Sequence, residues 1–165
     1  MFVSTASTYV HTMETGISNF YVTSILKPTC ETFHGVFSAD TIPTQLLQRD
    51  IFSIVCNLSK VDEPGSHFVT IISQPHKIFY IDSLGLPCVT PAIDKFLRKL
   101  RKPVFFNRRQ IQHVSSKFCG FYCILFVLYF DRKETSPLRF ESTNLLLNDR
   151  VCVKKIQEIL NKMIY

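Results

Sequence analysis

No Cys-x-x-Cys pair occurs among the six cysteines of this 165-residue chain, so neither a zinc ribbon nor a thioredoxin-type redox motif is supported. No apolar run approaches the roughly 20 residues that cross a membrane. The longest, residues 118–130, is too short and reads as a buried core helix. Charged residues make up only 19% and hydrophobic ones 46%, too apolar a balance for a disordered chain. There is no internal repeat, low-complexity tract or linker, and residues 1–12 have neither the basic start nor the apolar stretch of a secretory leader. Widely spaced cysteines without a leader predict free thiols in a reducing compartment. The length predicts one domain, 1–165, able to bury its own core.

Acidic residues are also scarce, 13 against 19 basic ones, for a net charge of +6 and a pI near 9.1. That excess is compatible with an acidic or nucleic-acid partner and equally with a basic protein that has none. The densest basic stretch holds Lys95, Arg98, Lys99, Arg101 and Lys102, with Arg108 and Arg109 beyond it. Phosphates could be held there in a salt-dependent, sequence-independent way. The alternative is a solvated helix face with Phe96, Leu97 and Leu100 turned inward.

Met13, Ile17, Phe20, Tyr21 and Ile25 recur at helical spacing, predicting a first helix that ends before Pro28. Residues 28–50 read as irregular connection, and Phe52 to Asn57 as a short buried strand. Asp62-Glu63-Pro64-Gly65 is a turn. His67 to Ser73 and Lys77 to Ser83 read as a hairpin, Pro91 to Lys102 as a helix with proline in its first turn, and Val104 to Phe106 as a strand. Phe118 to Asp131 is the central helix, and a last helix begins near Asn148 or Asp149 with Cys152, Ile156, Ile159, Leu160 and Met163 on one face. Strands in the middle flanked by helices predict an α+β domain.

The chemistry concentrates in Ser115-Ser116-Lys117-Phe118-Cys119-Gly120. Polar residues that can cap a helix precede a thiol at its first turn, where the helix dipole favours negative charge by about 0.3–1 kcal/mol. A free thiol is only a few per cent ionised at neutral pH, so the dipole alone makes no nucleophile. A histidine must pair with it. Gly120 would let a substrate backbone approach the sulfur, and the Cys119 N–H would point at a developing oxyanion. The alternative is a buried cysteine acting as a small hydrophobe.

The hairpin supplies the partner. A loop centred on Pro75-His76 sets Asp82 opposite Val69, which leaves His67 on the same face and diagonal to Asp82. Diagonal neighbours lie about 7–8 Å apart at Cα, within reach of a ring. Asp82 can thus orient the imidazole and stabilise its charged form. A one-residue slip of register would separate them. Gln112, seven residues before Cys119, carries an amide suited to an oxyanion, though taken alone it reads better as a solvated loop glutamine. His113 is closer in sequence to Cys119 but has no acid nearby in the chain, His76 is a hairpin tip, and Cys123 is a core position one turn deeper.

The order His67, Asp82, Gln112, Cys119, in the segments SHFVTII, IFYIDSLG and QHVSSKFCGFYCILFVLYF, resembles the adenovirus-type cysteine proteases (adenain-like) and the wider group that cuts ubiquitin-like proteins. The Asn144–Asn148 stretch and the final helix are similar too. The resemblance implies a papain-like fold, with a central mixed sheet packed on the helix that carries the nucleophile. It implies Cys119 as nucleophile, His67 as general base, Asp82 as orienting acid, and Gln112 with the Cys119 N–H as oxyanion hole. Ser66, Phe68 and Gly120 are then the adjacent substrate contacts.

Relatives of this kind cut after glycine, at Gly-x-Gly or Gly-Gly sites in viral structural precursors or at the tails of ubiquitin-like proteins. A capsid precursor or a ubiquitin-like protein is therefore the implied partner, with deubiquitinating or SUMO-type deconjugation as the alternative activity. A catalytically silent binding module on the same fold is the reading from a different class. The resemblance further implies a monomer in the host nucleus or cytoplasm, or in a virion. It implies no cofactor or metal for the chemistry, and DNA or a peptide as activator. The chain departs from the family at Phe68, where a tryptophan is common, at Asp82, where adenain has glutamate, and at Arg101, where the activator's disulfide partner would be.

Overall fold

In the computed structural model, residues 16–133 and 144–163 are described, and the account below concerns those. Met13 of the first expected helix falls outside them. The elements run α1 (Asn19–Leu26), β1 (Phe33–Ser38), a 3-10 turn (Thr44–Gln48), β2 (Phe52–Asn57), β3 (Phe68–Gln74), β4 (Lys77–Ile81), α2 (Pro91–Lys99), β5 (Val104–Phe106), α3 (Cys119–Asp131) and α4 (Leu145–Met163).

The strands form one five-stranded sheet in the order β1-β2-β3-β4-β5. The two outer pairs are parallel and the two inner pairs antiparallel, a mixed sheet. The period of two along each strand sorts apolar side chains to its two faces. Phe33, Val55, Phe68, Ile72 and Ile81 join α1, α3 and α4 in one core. Phe52, Ile54, Cys56, Val69, Ile71, Ile78 and Tyr80 meet α2 and the 3-10 turn in the other. The α+β class read from the sequence is the class observed.

Helix α3 is apolar all round because it lies between sheet and helices, and its residues from Gly120 to Leu128 are all buried. Its N-cap is Phe118, with no side-chain cap bond, rather than one of the preceding serines. The first-turn N–H groups therefore stay uncapped beside Cys119.

Several expectations change. Phe20 is 82% exposed and does not join the apolar face of α1, which buries Ile25, as expected, together with Val22 and Leu26. Residues 28–50 contain β1, hidden in the sequence because the register shifts between Phe33 and Gly35 and breaks the alternation. Helix α2 stops at Lys99, where Arg101 turns to φ 53 ahead of Pro103. Helix α4 starts at Leu145, earlier than the Asn148 expected. Among the described residues no helix is long and apolar enough to cross a membrane.

Candidate active site

The β3–β4 hairpin has the register the sequence predicts: Gln74 faces Lys77, Ser73 faces Ile78 and Thr70 faces Ile81. Continued past the paired residues, it brings His67 and Asp82 together, with His67 Nε2 2.7 Å from Asp82 Oδ1. The Asp82 side chain is 2% exposed and that of His67 16%. The Cys119 sulfur lies near enough to the imidazole for its charge and hydrogen bonding to favour the protonated ring. With Nε2 turned to the carboxylate, Nδ1 is the nitrogen left for sulfur.

Asp82 is held from several directions. Its Oδ1 also accepts from the Leu84 N–H at 2.8 Å, a turn of the aspartate onto its own backbone. Its N–H donates to Asn107 Oδ1 at 2.9 Å, and the Asn107 amide donates back to the Asp82 carbonyl. Asn107 was not singled out in the sequence. It follows β5 and reaches Asp82 only because β5 pairs in parallel with β4. On the histidine side, Asn57 Oδ1 accepts from the Ser59 and Ser66 N–H groups, and the Leu58 N–H donates to the His67 carbonyl at 2.9 Å. The end of β2 thus fixes the residues that lead into His67.

The electrostatics follow from this packing. Burial lowers the His67 pKa, but the bond and charge of Asp82, with those of Cys119, outweigh it and raise the group to about 9. The imidazole is therefore an imidazolium at neutral pH, beside the sulfur. The other five cysteines are held as thiols. Burial raises Cys88, raises Cys30 to about 11, and pushes Cys56, Cys123 and Cys152 higher still.

Gln112 is not a solvated loop residue: it is 2% exposed. Its Oε1 accepts from the Ser83 hydroxyl and its Nε2 donates to the Ser116 carbonyl at 2.8 Å. Both the Ile111 and Gln112 N–H groups donate to the Ser83 carbonyl. The turn after Asp82 and the loop before Cys119 are so close that a Cβ on Gly85 would lie 2.7 Å from the Gln110 nitrogen; Gly85 also sits at φ +73. Ser83 and Gly85 thereby lock the amide of Gln112 near the start of α3.

A cleft of about 770 Å³ is lined by Cys119, His67, Gln112, Ser66 and Phe68. The segment Gly16–Phe20 forms another part of its wall. Gly120 takes a different part from the one expected. It is buried, and a Cβ there would come within 2.5 Å of Ile17 Cγ1, so the close approach it permits is that of Ile17 and not of a substrate backbone. Ser66 is exposed at the rim, whereas Phe68 is a largely buried wall.

Of the basic stretch, Lys95, Arg98, Lys99, Arg101, Arg108 and Arg109 are exposed. Lys102 is drawn inward, where its ammonium donates to the Asp50 carbonyl and carboxylate, Ser73 Oγ and the Gln74 carbonyl. Phe96, Leu97 and Leu100 are buried, as the inward-facing reading requires.

No protein-family model matches the sequence, and no curated protein matches it significantly. Among solved structures, the central domain of the uncharacterized Lpg1148 protein from Legionella pneumophila is similar over 88% of this chain and 98% of its own, with a TM-score of 0.50 at 14% identity. The SUMO protease Ulp1, with its catalytic cysteine oxidized to a sulfenic acid, is similar over 89% of this chain and 76% of its own, with a TM-score of 0.45 at 16% identity. At such identities a likeness speaks to the path of the chain, and the chemistry has to be read from the side chains.

Proposed function

We propose that this protein is a cysteine protease that cleaves after glycine, with Cys119 as nucleophile, His67 as acid and base, and Asp82 as the orienting carboxylate. The observation that carries the reading is His67. Its imidazole is shared between a buried carboxylate at 2.7 Å and the only cysteine of the six that lines the cleft. A structural histidine has no need of both.

The steps follow from the groups present. The thiolate attacks the substrate carbonyl carbon, and the electron pair moves to the carbonyl oxygen. In this reading the Cys119 N–H and the second N–H of the Gln112 amide donate to that oxygen, where one donor is worth about 10²–10³ in rate. His67 gives its proton to the leaving amine, and the C–N bond breaks to leave a thioester. The neutral imidazole then takes a proton from water, which attacks the thioester and regenerates the thiolate. Asp82 keeps Nε2–H in place throughout and stabilises the imidazolium.

Specificity for glycine is supported by the resemblance of the motifs around His67, Asp82, Gln112 and Cys119. A Gly-x-Gly-x peptide and a ubiquitin-like protein fused through its Gly-Gly tail, each offered to wild type and to Cys119→Ala, test both the reaction and the substrate class. Cleavage of the peptide with loss in the variant supports an endopeptidase. Cleavage of the fusion alone moves the reading to a deconjugase. Failure with both, or residual activity in Cys119→Ala, defeats the assignment of the nucleophile.

A further inference from the structure

The last residue of β2 carries a polar group that the fold does not use. Asn57 is 7% exposed. Its strand partners are Ser38 at the end of β1 and Phe68 at the start of β3. It lines the cleft with Gly65, Ser66, His67 and Cys119. Its Oδ1 accepts from the Ser59 N–H at 3.0 Å and from the Ser66 N–H at 3.2 Å. Those two donors fix which way round the amide sits, because a flipped amide would set its own N–H groups against them. Nδ2 therefore carries its two hydrogens with no acceptor for either among the described residues. Unlike the Thr70 hydroxyl, it is not sealed in the interior, and solvent in the cleft reaches it.

Gly65 keeps this donor open. A Cβ there would lie 2.8 Å from Nδ2, so any other residue at that position would cover or displace it. Gly65 is not among the glycines at positive φ, so the turn itself does not call for one. The close approach to Asn57 does.

We infer that Asn57 is a substrate-binding residue: across the bare backbone of Gly65, its Nδ2 donates to a backbone carbonyl of the peptide in the cleft. The two bonds of Oδ1 are its structural part, and they hold the segment that leads into His67. The nitrogen contributes nothing to that part. A largely buried donor without a partner is costly, and a bound carbonyl removes the cost. A glycine-rich peptide offers backbone carbonyls where another would offer side chains, so the bond suits the substrate class proposed above. It is made alike in the ground state and the transition state, and so acts on KM rather than on kcat.

The inference rests on the protease reading, and the experiment keeps the two apart. Wild type, Asn57→Asp and Gly65→Ala are compared in kcat and KM on a Gly-x-Gly-x peptide and in the rate at which iodoacetamide alkylates Cys119. Asn57→Asp keeps an oxygen for the Ser59 and Ser66 N–H groups but turns the free donor into an acceptor, which repels a carbonyl. It is expected to raise KM by about tenfold or more, with kcat and the alkylation rate within about threefold of wild type. Gly65→Ala, which leaves Oδ1 its bonds but crowds Nδ2, should raise KM by about threefold or more with the same split. A series of peptides, each with one backbone carbonyl replaced by an alkene, finds the acceptor. At one position the replacement should raise KM by about tenfold in wild type and leave it nearly unchanged in Asn57→Asp. A KM within twofold of wild type in Asn57→Asp overturns the inference. So does an alkylation rate that falls in step with kcat/KM, or alkene peptides that lose equally in both proteins. Should Asn57→Asp not fold, Gly65→Ala and the same peptides decide by the same criteria. A wild type that cleaves no peptide or fusion overturns the protease reading first, and this inference with it.

Discussion

Replacing Asp82 by asparagine removes one charge and little else, because the amide oxygen can still accept from the Leu84 N–H. What changes is His67. Its rise from 6.5 to about 9 corresponds to roughly 3 kcal/mol in favour of the imidazolium. Asp82 and Cys119 share that effect, and burial works against both. A charge-assisted hydrogen bond contributes about 1.5–3 kcal/mol, so the carboxylate supplies most of it. Losing that much lowers kcat by about 10- to 150-fold. KM should stay nearly constant, since Asp82 is buried and does not line the cleft. The alkaline limb of the kcat/KM profile, where the imidazolium loses its proton, should lie near 9 in wild type and move down by about one to two pH units in the variant. A full pH profile of peptide cleavage for the two proteins is the assay. An alkaline limb that does not move, with kcat within twofold of wild type, would refute the role given to Asp82.

The same linkage has a stability consequence. The folded pKa of His67 lies above the unfolded value, so its contribution is fully present below pH 6.5 and is lost as the pH rises through about 9. Between those values wild type should lose about 2 kcal/mol more than Asp82→Asn, a relative fall in Tm of roughly 4–8 °C in melts of both proteins at several pH values. Gly120→Ala should cost about 1–3 kcal/mol by forcing its Cβ against Ile17; adding Ile17→Ala should recover part of that, and denaturant titrations that show simple additivity would remove the contact from the account. Lys102→Met should destabilise the fold by about 1–3 kcal/mol, because it leaves the Gln74 carbonyl and Ser73 Oγ without their donor. A denaturation midpoint equal to wild type would show the lysine to be free in solution.

What could be read along the chain was what depends on local pattern. The hairpin register follows from a loop centred on Pro75-His76, and with it the pairing of His67 and Asp82. The burial of α3 followed from its unbroken apolar run. Contacts made by distant residues left no local trace. Asn107 is a polar residue after a three-residue edge strand, and only the parallel pairing of β4 and β5 makes it the support of Asp82. Gln112 reads as a loop residue because the hydroxyl that holds it, on Ser83, comes from the turn after β4, 29 positions away in the chain. Gly120 sits where a glycine admits substrate in principle, but the space is taken by Ile17, more than a hundred positions earlier in the chain. Strand β1 was missed for a different reason: Gly35, at φ +146, carries the bulge that hides the alternation.

The central claim is that Cys119 is a nucleophile activated by His67 and Asp82, and the rate of its alkylation tests this most directly. Iodoacetamide labelling of the folded protein at neutral pH, followed by mass spectrometry of each cysteine, should modify Cys119 at least about tenfold faster than the partly exposed Cys88. In His67→Ala that advantage should disappear. Equal rates at Cys119 and Cys88, or an advantage that survives the loss of His67, would contradict the account.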